Sequence, residues 1–528
     1  MNKEIEQKLN KIGILRLHPF QEKVLNAFLK KQDILVFVMT GGGKSLCYQL
    51  PSLLTDKVTI VISPLKSLME DQVNELKKLN IKSCIFSGDQ LQYEKFEILQ
   101  DLLSFSNTYK IIFTNPETLE KNLKFLEVLE NLYKIDKISM IVFDEAHCIS
   151  IWGNDFRPSY LKMSKIRDIF KKIPFMALTA SATKKVEIEI KKILNLSVNT
   201  EIIKESFRRE NLNIQIIDAR GKNVFIDIEN KLKNNLKNKS GIIYCNSRKK
   251  CESLQEYLFE KGIKAAYFHA GLDKEKRIDI QNKWKSEEIY VVIATIAFGM
   301  GINKKDVRFV IHLNFSSSIE NYYQEIGRAG RDGIKSDCFL YYDYKDKIIQ
   351  KQFIDNSLKE NCIDLYNYKI TKLNEMILFL ENITDCRHYL LTSYFGENKY
   401  YSCKECCDNC KSQKKTIKRN ILDICKYIFE LLGTSNICKV DLKKKLEIKF
   451  KGIYTSVFID RIIIFLISKN ILNEEIIIIE NSNIFKNIKY QENISSTDLF
   501  KKIINCNSIY LKEVKENKIT DFFTPLKI

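Results

Sequence analysis

The 528-residue chain lacks any apolar run close to the roughly 20 residues that a membrane-spanning helix needs. Even the apolar segment at residues 476–479 is short and is flanked by charged side chains. The N-terminal residues are polar and of mixed charge, so the pattern of a secretory signal peptide is also missing. From these absences we expect a soluble intracellular protein.

A disulfide framework is missing too, although the chain has 15 cysteines. Most of them lie singly in apolar runs, as buried thiols do. A group between residues 386 and 410 is instead dense, which is typical of a metal site in an intracellular protein. Tetrahedral zinc takes four such ligands, usually with two on one tight turn. Cys407 and Cys410 form that turn, Cys386 joins them from a helix, and the fourth ligand is either Cys403 or Cys406.

The formal net charge is +19. Such a charge favours a polyanionic partner such as nucleic acid. The excess is mostly lysine in a chain that is also rich in asparagine and isoleucine, a bias that genome composition alone can produce. Charge by itself therefore does not choose the partner. The length suits three or four domains of roughly 150 residues each.

A glycine-rich loop follows residues 34–38, an apolar run typical of a buried strand. This loop, here called the P-loop, consists of Thr40, Gly41, Gly42, Gly43, Lys44 and Ser45. Its glycines let the backbone point N–H groups at a phosphate, while the lysine reaches the β- and γ-phosphates and the serine hydroxyl binds Mg²⁺. The sequence therefore predicts a nucleoside triphosphate site. Gln21, earlier in the chain, is a candidate reader of the adenine edge because its amide both donates and accepts hydrogen bonds.

Asp144 and Glu145 end another apolar strand, after the P-loop. At the carboxyl edge of a parallel sheet, the aspartate can coordinate Mg²⁺ through water and the glutamate can polarise the attacking water. An acidic pair at a strand end is common, and it becomes informative because it follows a P-loop at this distance. We predict Lys44, Asp144 and Glu145 as catalytic residues.

The segment that follows the acidic pair interleaves aromatic residues with glycine and arginine, and it includes Trp152, Phe156 and Arg157. Aromatic side chains in a loop are suited to stacking on unpaired bases. These three residues are therefore candidate nucleic-acid contacts. The alternative is a buried hydrophobic plug.

Residues 206–212 are interpreted as a linker, and a second alternating series of strands and helices follows them. The second series has no phosphate loop of its own. It does contain Arg328 and Arg331, placed among glycines at a predicted helix start. Arginines in such a place can reach across a cleft between two lobes and stabilise charge on the γ-phosphate. A solvated basic turn would not explain the glycines around them.

Taken in order, these motifs resemble those of the RecQ family of superfamily-2 DNA helicases, from about residue 10 to residue 412. The match comprises Gln21, the P-loop, residues 144–147, the aromatic loop and residues 322–333. The resemblance implies an α/β fold with two RecA-like parallel-sheet lobes, followed by a zinc-binding helical subdomain and a winged-helix domain. It implies ATP-dependent, 3′-to-5′ unwinding of duplex DNA in recombination, repair and replication, with ATP, Mg²⁺ and Zn²⁺ as cofactors.

The resemblance also implies roles for individual residues. Lys44 and Ser45 hold the phosphates and Mg²⁺, with Asp144 as the second magnesium ligand. Arg331 is the arginine finger, and Arg328 lies beside it. The zinc ligands are Cys386, Cys403, Cys407 and Cys410, which leaves Cys406 as a spare thiol.

The chain departs from the family pattern at four positions. His18 stands where arginine is usual, and Met39 stands where proline or alanine is usual. In the aromatic loop, Ile151 and Asn154 replace the usual glutamine and histidine. Because that loop couples DNA contact to hydrolysis in the family, we expect looser coupling here. Every phosphate and metal position is intact.

After the zinc region, residues 414–419 form a basic linker that is a nuclear-import signal, a phosphate contact or solvated charge. Three amphipathic helices and a strand pair then give the element order of a winged helix. The wing is either a strand-splitting wedge or a hairpin that closes the core. The predicted helices lie around residues 421–432, 440–446 and 457–468, and the strands at 476–480 and 484–490 flank a turn at 481–483.

The last segment, residues 498–528, is predicted to be a flexible tail. Ile519, Phe522 and Phe523 resemble the peptide that docks into sliding clamps, with apolar anchors on one face of a short turn. Glu516 stands where such peptides usually have glutamine, and the alternative is a tail that packs on its own domain. The predicted divisions are lobe 1 at 1–205, lobe 2 at 206–345, the zinc subdomain at 346–412, the winged helix at 413–497 and the tail.

Two other functions remain open at this stage. One is a DNA-stimulated ATPase that anneals or remodels strands without productive unwinding, for which the altered aromatic loop is the sequence basis. The other is an RNA helicase, which shares the ATPase core but does not predict the zinc and winged-helix additions. For a eukaryotic chain we expect the nucleus, and otherwise the cytoplasm or nucleoid.

Overall fold

The structure is a computed structural model that describes residues 9, 16–104, 108–150, 158–180, 183–296, 298, 304–357, 363–412, 416–433, 436–479, 489–496 and 510–514. The chain divides into two compact units. The first unit comprises residues 1–315, 320–341 and 391–400, and the second comprises residues 316–319, 342–390 and 401–528.

The first unit contains a seven-stranded sheet in the order β3-β4-β2-β5-β6-β1-β7, in which every neighbouring pair is parallel. Its inner strands are mostly apolar and are buried along their whole length, as expected of parallel strands covered on both faces. The sheet and its helices are called the first lobe. Its strands are β1 (Ile34–Phe37), β2 (Val58–Ile62), β3 (Ser83–Phe86), β4 (Ile111–Thr114), β5 (Ile138–Phe143), β6 (Phe175–Thr179) and β7 (Glu201–Lys204).

The helices of the first lobe connect these strands and bury apolar residues against the sheet. A 3₁₀ turn at Ala146–Ile149 follows β5 directly. The helices are α1 (Pro19–Leu29), α2 (Leu46–Leu54), α3 (Lys66–Lys78), α4 (Gln92–Leu103), α5 (Pro116–Lys121), α6 (Leu123–Lys134), α7 (Pro158–Leu161), α8 (Ser164–Ile169) and α9 (Lys184–Ile193).

A second, six-stranded sheet in the first unit has the order β10-β11-β9-β12-β13-β8, and its helices complete the second lobe. The strands β9 to β13 pair in parallel. The strands are β8 (Leu212–Asp218), β9 (Gly241–Tyr244), β10 (Ala265–Phe268), β11 (Val291–Ala294), β12 (Phe309–His312) and β13 (Ser336–Tyr342). The helices are α10 (Val224–Lys233), α11 (Arg248–Glu260), α12 (Lys274–Lys285) and α13 (Ile319–Ile326). The prediction of two parallel-sheet lobes is therefore confirmed.

The second unit starts with helices and ends with a separate apolar core. Its first helices are α14 (Asp346–Ser357), α15 (Ile363–Glu381), α16 (Arg387–Tyr394) and α17 (Asp408–Ser412). Three further helices, α18 (Leu422–Leu432), α19 (Lys439–Lys449) and α20 (Ser456–Ser468), pack together in that core and agree with the three predicted amphipathic helices. The last four residues of α16 lie in the first unit with residues 395–400, a division that the sequence did not predict.

The strands of the hairpin after these helices have different bounds from the predicted ones. Strand β16 (Leu472–Ile479) pairs antiparallel with β17 (Lys489–Ser496), and the short strand β15 (Ile437–Cys438) adds to the other edge of β17. The first predicted strand overlaps β16, which begins four residues earlier, and the second overlaps β17 at residues 489–490. Residues 484–488 of the second prediction lie outside the described residues. The predicted turn at 481–483 lies outside the described residues.

Another antiparallel pair corrects two predictions. Strand β14 (Thr416–Asn420) pairs with β18 (Tyr510–Val514), so part of the predicted basic linker and part of the predicted flexible tail form a ladder. The two strands are about 90 residues apart in the chain, and composition does not show such a non-local pairing. Ile519, Phe522 and Phe523 lie outside the described residues.

A buried ion cluster joins three elements of the second unit. The Glu474 carboxylate on β16 lies 2.6 Å from Lys347 Nζ on α14 and 3.2 Å from Lys439 Nζ on α19. It also accepts a hydrogen bond from the Tyr344 hydroxyl. The Glu474 side chain is only 3% exposed. Burial alone would raise the pKa of Glu474, but the two lysines hold it at about 2.

We expect Glu474→Gln to destabilise the second unit by about 3–5 kcal/mol, because it leaves two buried ammonium groups without their carboxylate. The measurement is hydrogen exchange of α20, whose amides report opening of this core. In the native chain the lowered pKa means that the Glu474 contribution is full above about pH 4.5 and is lost as the pH falls toward 2. Asp136→Asn, which removes the exposed Lys57–Asp136 pair, is the control and should cost at most about 1 kcal/mol.

None of the described helices is long and apolar enough to span a lipid bilayer.

Candidate functional site

The carboxyl ends of the first-lobe strands bring the predicted nucleotide residues together. The P-loop follows β1, the acidic pair follows β5, and Thr179 ends β6, which lies between these two strands in the sheet. Loops at this edge of a parallel sheet meet because neighbouring strands end at the same level.

The P-loop takes backbone conformations that require glycine. Gly41 and Gly43 have φ angles of +80° and +85°, which side chains rarely tolerate. Gln21 Nε2 donates a hydrogen bond to the Gly43 carbonyl at 3.2 Å, and a Cβ on Gly43 would lie 2.7 Å from that nitrogen. The Gln21 side-chain oxygen accepts the His18 N–H. Gln21 therefore holds the P-loop in this structure, and its contact with adenine stays a prediction.

Lys44 and Glu145 form an ion pair. Lys44 Nζ lies 3.3 Å from Glu145 Oε1, and both side chains are nearly buried. The other oxygen of Glu145 lies 3.3 Å from His147 Nδ1, which also lies 3.0 Å from the Thr179 hydroxyl. The sequence predicted no role for His147. The structure places its ring between Glu145 and the Thr179 hydroxyl.

The backbone explains why Glu145 faces the P-loop. Its φ of +49° lies in the left-handed region, which is uncommon for residues other than glycine and is often found at functional sites. Burial alone would raise its pKa, but Lys44 and His147 hold the pKa of Glu145 well below the usual value. Glu145 is therefore a carboxylate at neutral pH.

Asp144 lies beside Glu145, and its side chain accepts the Glu145 N–H at 3.0 Å. Burial, aided by the charge of Glu145, raises the pKa of Asp144 to about 6. Burial and the charge of Asp144 also raise the pKa of Tyr48, whose backbone N–H donates to the Ser45 carbonyl at 3.3 Å. Asp144 and Ser45 thus lie close enough to act on one tyrosine.

Arg328 and Arg331 lie after the C-terminal end of α13, not at a helix start, which corrects the prediction. The helix ends at Ile326, and residues 327–333, here called the arginine loop, follow it. Gly330 has a φ of +58°, a conformation that commonly ends helices and is open to glycine. Glycines flank both ends of helices, so their presence in the sequence does not by itself distinguish a helix start from a helix end.

The arginine loop lies directly on the P-loop. A Cβ on Gly41 would lie 3.0 Å from Arg331 Cγ, and a Cβ on Gly327 would lie 3.6 Å from the Thr40 Cβ. Burial, together with the charges of Arg328 and Arg209, lowers the pKa of Arg331 to about 10, and Glu145 opposes this shift. Arg331 stays charged at neutral pH. Three guanidinium groups so close together favour an anion between the lobes.

Arg209 is the residue that the sequence analysis missed, since it lies in the segment interpreted as a linker. It is only 8% exposed. Nearby, Phe207 stacks on Phe395 at 4.7 Å, and its N–H donates to the Glu397 carboxylate at 2.6 Å. The signal available in the sequence was the occurrence of two arginines and an asparagine directly after Phe207. Their burial depends on residues far along the chain.

The structure also brings four cysteines of the second unit together. The Sγ atoms of Cys386, Cys403, Cys407 and Cys410 all lie within 4.8 Å of one another, and among the described residues Cys406 lies outside the cluster. Cys386 and Cys407 are buried. Next to them, Arg387 forms a two-pronged ion pair with Asp408, at 3.0 Å from each nitrogen, which fixes the turn. Four thiols at this spacing fit tetrahedral Zn²⁺.

We expect Cys410→Ser to abolish zinc binding and to lower the melting temperature, because structural zinc couples directly to folding. Cys406→Ser is the matched control, since it alters the same loop outside the cluster. Zinc content by mass spectrometry and thermal unfolding are the measurements. Equal zinc loss in both variants would contradict the assignment of the four ligands.

The candidate nucleic-acid contacts Trp152, Phe156 and Arg157 lie outside the described residues, as do Ile151 and Asn154. The structure instead shows a groove of about 690 Å³ at the same edge of the first sheet, after β2, β3 and β4. Its wall includes Lys66, Lys95 and Lys121 together with the carboxylates of Asp89 and Glu117, so lysines outnumber acidic side chains there by three to two. Lys66 is paired with Asp89, and Lys95 donates to the Gly88 carbonyl at 2.7 Å.

Three known protein families match successive parts of the chain that correspond to the first lobe, the second lobe and the region of the cysteine cluster. Residues 18–188 match the DEAD/DEAH box helicase family, residues 223–333 match the helicase conserved C-terminal domain, and residues 344–411 match the RecQ zinc-binding family. Together with the cysteine cluster, these matches indicate ATP and zinc as cofactors.

Similar proteins carry helicase names. ATP-dependent DNA helicase Q-like 4B of Arabidopsis thaliana is 41% identical over 82% of this chain and 38% of its own length. The chain therefore spans well under half of that relative. A Caenorhabditis briggsae protein of the ATP-dependent DNA helicase Q1 type is 36% identical over 88% of this chain and 76% of its own length.

A solved structure shares the fold. That of the helicase MrfA bound to DNA and AMPPNP superposes with a TM-score of 0.54, at 19% identity, over 70% of this chain and 56% of the other. The sequence relatives define the family more closely than the fold does, because the 36% identity to the Caenorhabditis briggsae protein covers 76% of that protein's length. The chain belongs to the RecQ family of helicases.

Proposed function

We propose that this chain is an ATP-dependent DNA helicase that moves 3′-to-5′ along one strand and separates the duplex. The observation that carries the proposal is the meeting of Lys44, Glu145 and Arg331, from two lobes, at one sheet edge. A phosphate-binding lysine, a buried carboxylate and an arginine from the other lobe are what phosphoryl transfer to water requires.

ATP binding requires Lys44 to exchange partners. In this structure Lys44 is paired with Glu145, and the P-loop N–H groups and Lys44 would hold the β- and γ-phosphates. Glu145 then keeps its contact with His147 and is free to orient the attacking water. Arg331 supplies positive charge from the second lobe as negative charge builds up on the γ-phosphate. Hydrolysis therefore requires the two lobes to be together.

Mg²⁺ is the cation that we propose at Ser45 and Asp144. A hydroxyl and a carboxylate are the hard oxygen ligands that this ion prefers, and the raised pKa of Asp144 shows a buried carboxylate that a cation would stabilise. When bound, Mg²⁺ would neutralise charge on the β- and γ-phosphates. The role of the chain is to hold these two oxygen groups beside the P-loop.

We infer that DNA lies along the lysine-lined groove of the first lobe. Lysine contacts to phosphates bind without regard to sequence and weaken with salt, as a translocating enzyme requires. Trp152, Phe156 and Arg157 stay candidate base contacts in this proposal. The four cysteines hold Zn²⁺ as a structural ion that supports the second unit.

The remaining assignments rest on the family. We propose that the region from α18 to β17 is a winged helix and that the two lobes, the zinc subdomain and the winged helix are separate domains. We also propose that the protein works in the nucleus in recombination, repair and replication. A sliding clamp that binds through Ile519, Phe522 and Phe523 is a proposed partner. Undiminished clamp pull-down after truncation from residue 519 would exclude it.

Strand separation of a 3′-tailed DNA duplex with ATP and Mg²⁺ tests the proposal. We expect unwinding of this substrate and not of a 5′-tailed duplex, with loss of unwinding in Lys44→Ala. An RNA duplex of the same sequence tests the substrate class. DNA-stimulated ATP hydrolysis without strand separation would contradict the helicase function and favour a strand-annealing or remodelling factor.

A further inference from the structure

Arg209 is buried at the point where the two lobes meet, between β7 and β8 in the chain. Its guanidinium makes five hydrogen bonds, as many as it has N–H groups. All the acceptors are neutral oxygens, four of them backbone carbonyls. Burial lowers the pKa of Arg209, so the position is costly to keep charged. A buried charge whose hydrogen bonds all go to neutral oxygens, four main-chain carbonyls and the Asn211 side chain, indicates a specific structural demand.

One side of Arg209 holds the arginine loop. Its Nη2 donates to the carbonyls of Ala329 and Gly330 at 2.7 and 2.9 Å, and its Nη1 donates to that of Gly327 at 3.4 Å. These carbonyls follow the end of α13, where the helix leaves acceptors unsatisfied and has its negative end. A cation is therefore favoured at these carbonyls. Gly327 and Ala329 flank Arg328, and Gly330 precedes Arg331, so Arg209 binds the backbone next to both arginines.

The other side of Arg209 holds the P-loop. The same Nη1 donates to the Thr40 carbonyl at 3.3 Å, at the first residue of the P-loop. A Cβ on Gly327 would lie 3.6 Å from the Thr40 Cβ, so the two loops are close at this point. One guanidinium therefore binds both the loop that carries Arg331 and the loop that holds the phosphates.

We propose that Arg209 is a positioning residue for ATP hydrolysis that sets the arginine loop against the P-loop and so places Arg331 at the γ-phosphate. The inference rests on the proposed function, because it assigns Arg331 to the ATP site. Arg209 itself touches main-chain carbonyls and acts through Arg331. A displacement of about 1 Å at a catalytic group costs roughly 10²-fold in rate, which sets the expected size of the effect.

Lysine cannot replace Arg209 in this role. Its ammonium keeps the charge but donates from a single point, whereas the planar guanidinium reaches carbonyls on two sides. Asn211 offers a matched control. Its amide nitrogen donates to the Gly330 and Ile334 carbonyls at 2.8 and 3.1 Å, and its side-chain oxygen accepts from Arg209 Nε at 3.3 Å. Asn211→Ala therefore weakens the support of the same loop and of Arg209 but removes no bond to the P-loop.

The experiment measures kcat and KM for ATP at saturating single-stranded DNA in Arg209→Lys, Asn211→Ala, Arg331→Ala and the Arg209→Lys/Arg331→Ala double variant. We expect Arg209→Lys to lower kcat by about 10²-fold with KM within about threefold, and Asn211→Ala to stay within about threefold in kcat. The double variant should be no slower than Arg331→Ala, because both changes remove one interaction. A merely structural Arg209 would instead give multiplied losses.

Three results would overturn the inference. These are an Arg209→Lys kcat within about threefold of the native enzyme, equal losses in Arg209→Lys and Asn211→Ala, or multiplied losses in the double variant. This comparison of single and double variants measures ATP hydrolysis. A failure of strand separation would therefore contradict the proposed helicase function but would not affect the test of Arg209. A native chain without ATP hydrolysis would overturn both.

Discussion

Arg331→Ala is expected to lower kcat for ATP hydrolysis by about 10³-fold or more, with a much smaller change in KM. The arginine acts on charge that develops only in the transition state, so its loss weakens substrate binding little. Its stem lies against Gly41, and it keeps its charge at neutral pH despite burial and two neighbouring arginines. The mutual repulsion of these three arginines is relieved when an anion binds among them, so the site favours the phosphates of ATP.

Steady-state hydrolysis with saturating DNA measures this effect, and binding of a fluorescent ATP analogue measures affinity separately. Arg220→Ala, which removes an exposed ion pair with Asp218 in the same lobe, is the control and should leave both quantities unchanged. The same measurements on Arg328→Ala show how much the neighbouring arginine, which is buried beside Tyr244, contributes to hydrolysis. A larger loss for Arg328→Ala than for Arg331→Ala would exchange the two proposed roles.

Glu145→Gln should lower kcat by about 10²–10⁴-fold, the usual contribution of a positioned base. Glutamine keeps the size of the side chain and removes the charge that polarises water. It also removes the ion pair that holds Lys44 at 3.3 Å, so Lys44 meets the phosphates with no pair to break. We therefore expect ATP binding that is as tight as in the native enzyme, or tighter.

Single-turnover hydrolysis and equilibrium ATP binding test this prediction together. Glu94→Gln is the control, because Glu94 accepts the Leu91 N–H at the start of α4 and glutamine can accept it too. Loss of ATP binding in Glu145→Gln would mean that the carboxylate orders the P-loop. An unchanged kcat would assign water activation to another group.

The sequence by itself determined the chemistry of the nucleotide site. The P-loop, Asp144-Glu145 and the paired arginines are local patterns with a chemical reason. A phosphate needs backbone N–H groups and a lysine within reach, and Mg²⁺ needs carboxylate oxygens close to them. Apolar runs likewise predicted the two parallel sheets, because strands covered on both faces are apolar throughout. The helices of the last core followed from their amphipathic period.

The tertiary structure decided what depends on residues far apart in the chain. The burial of Arg209, the pairing of β14 with β18 and the partners of His147 all involve groups that no local window contains. The direction of the arginine loop is similar, since glycines mark helix starts and ends alike and only the path of α13 shows which applies. Local order follows from the period and turn chemistry of neighbouring residues, whereas the contacts that join the lobes depend on the whole chain being folded.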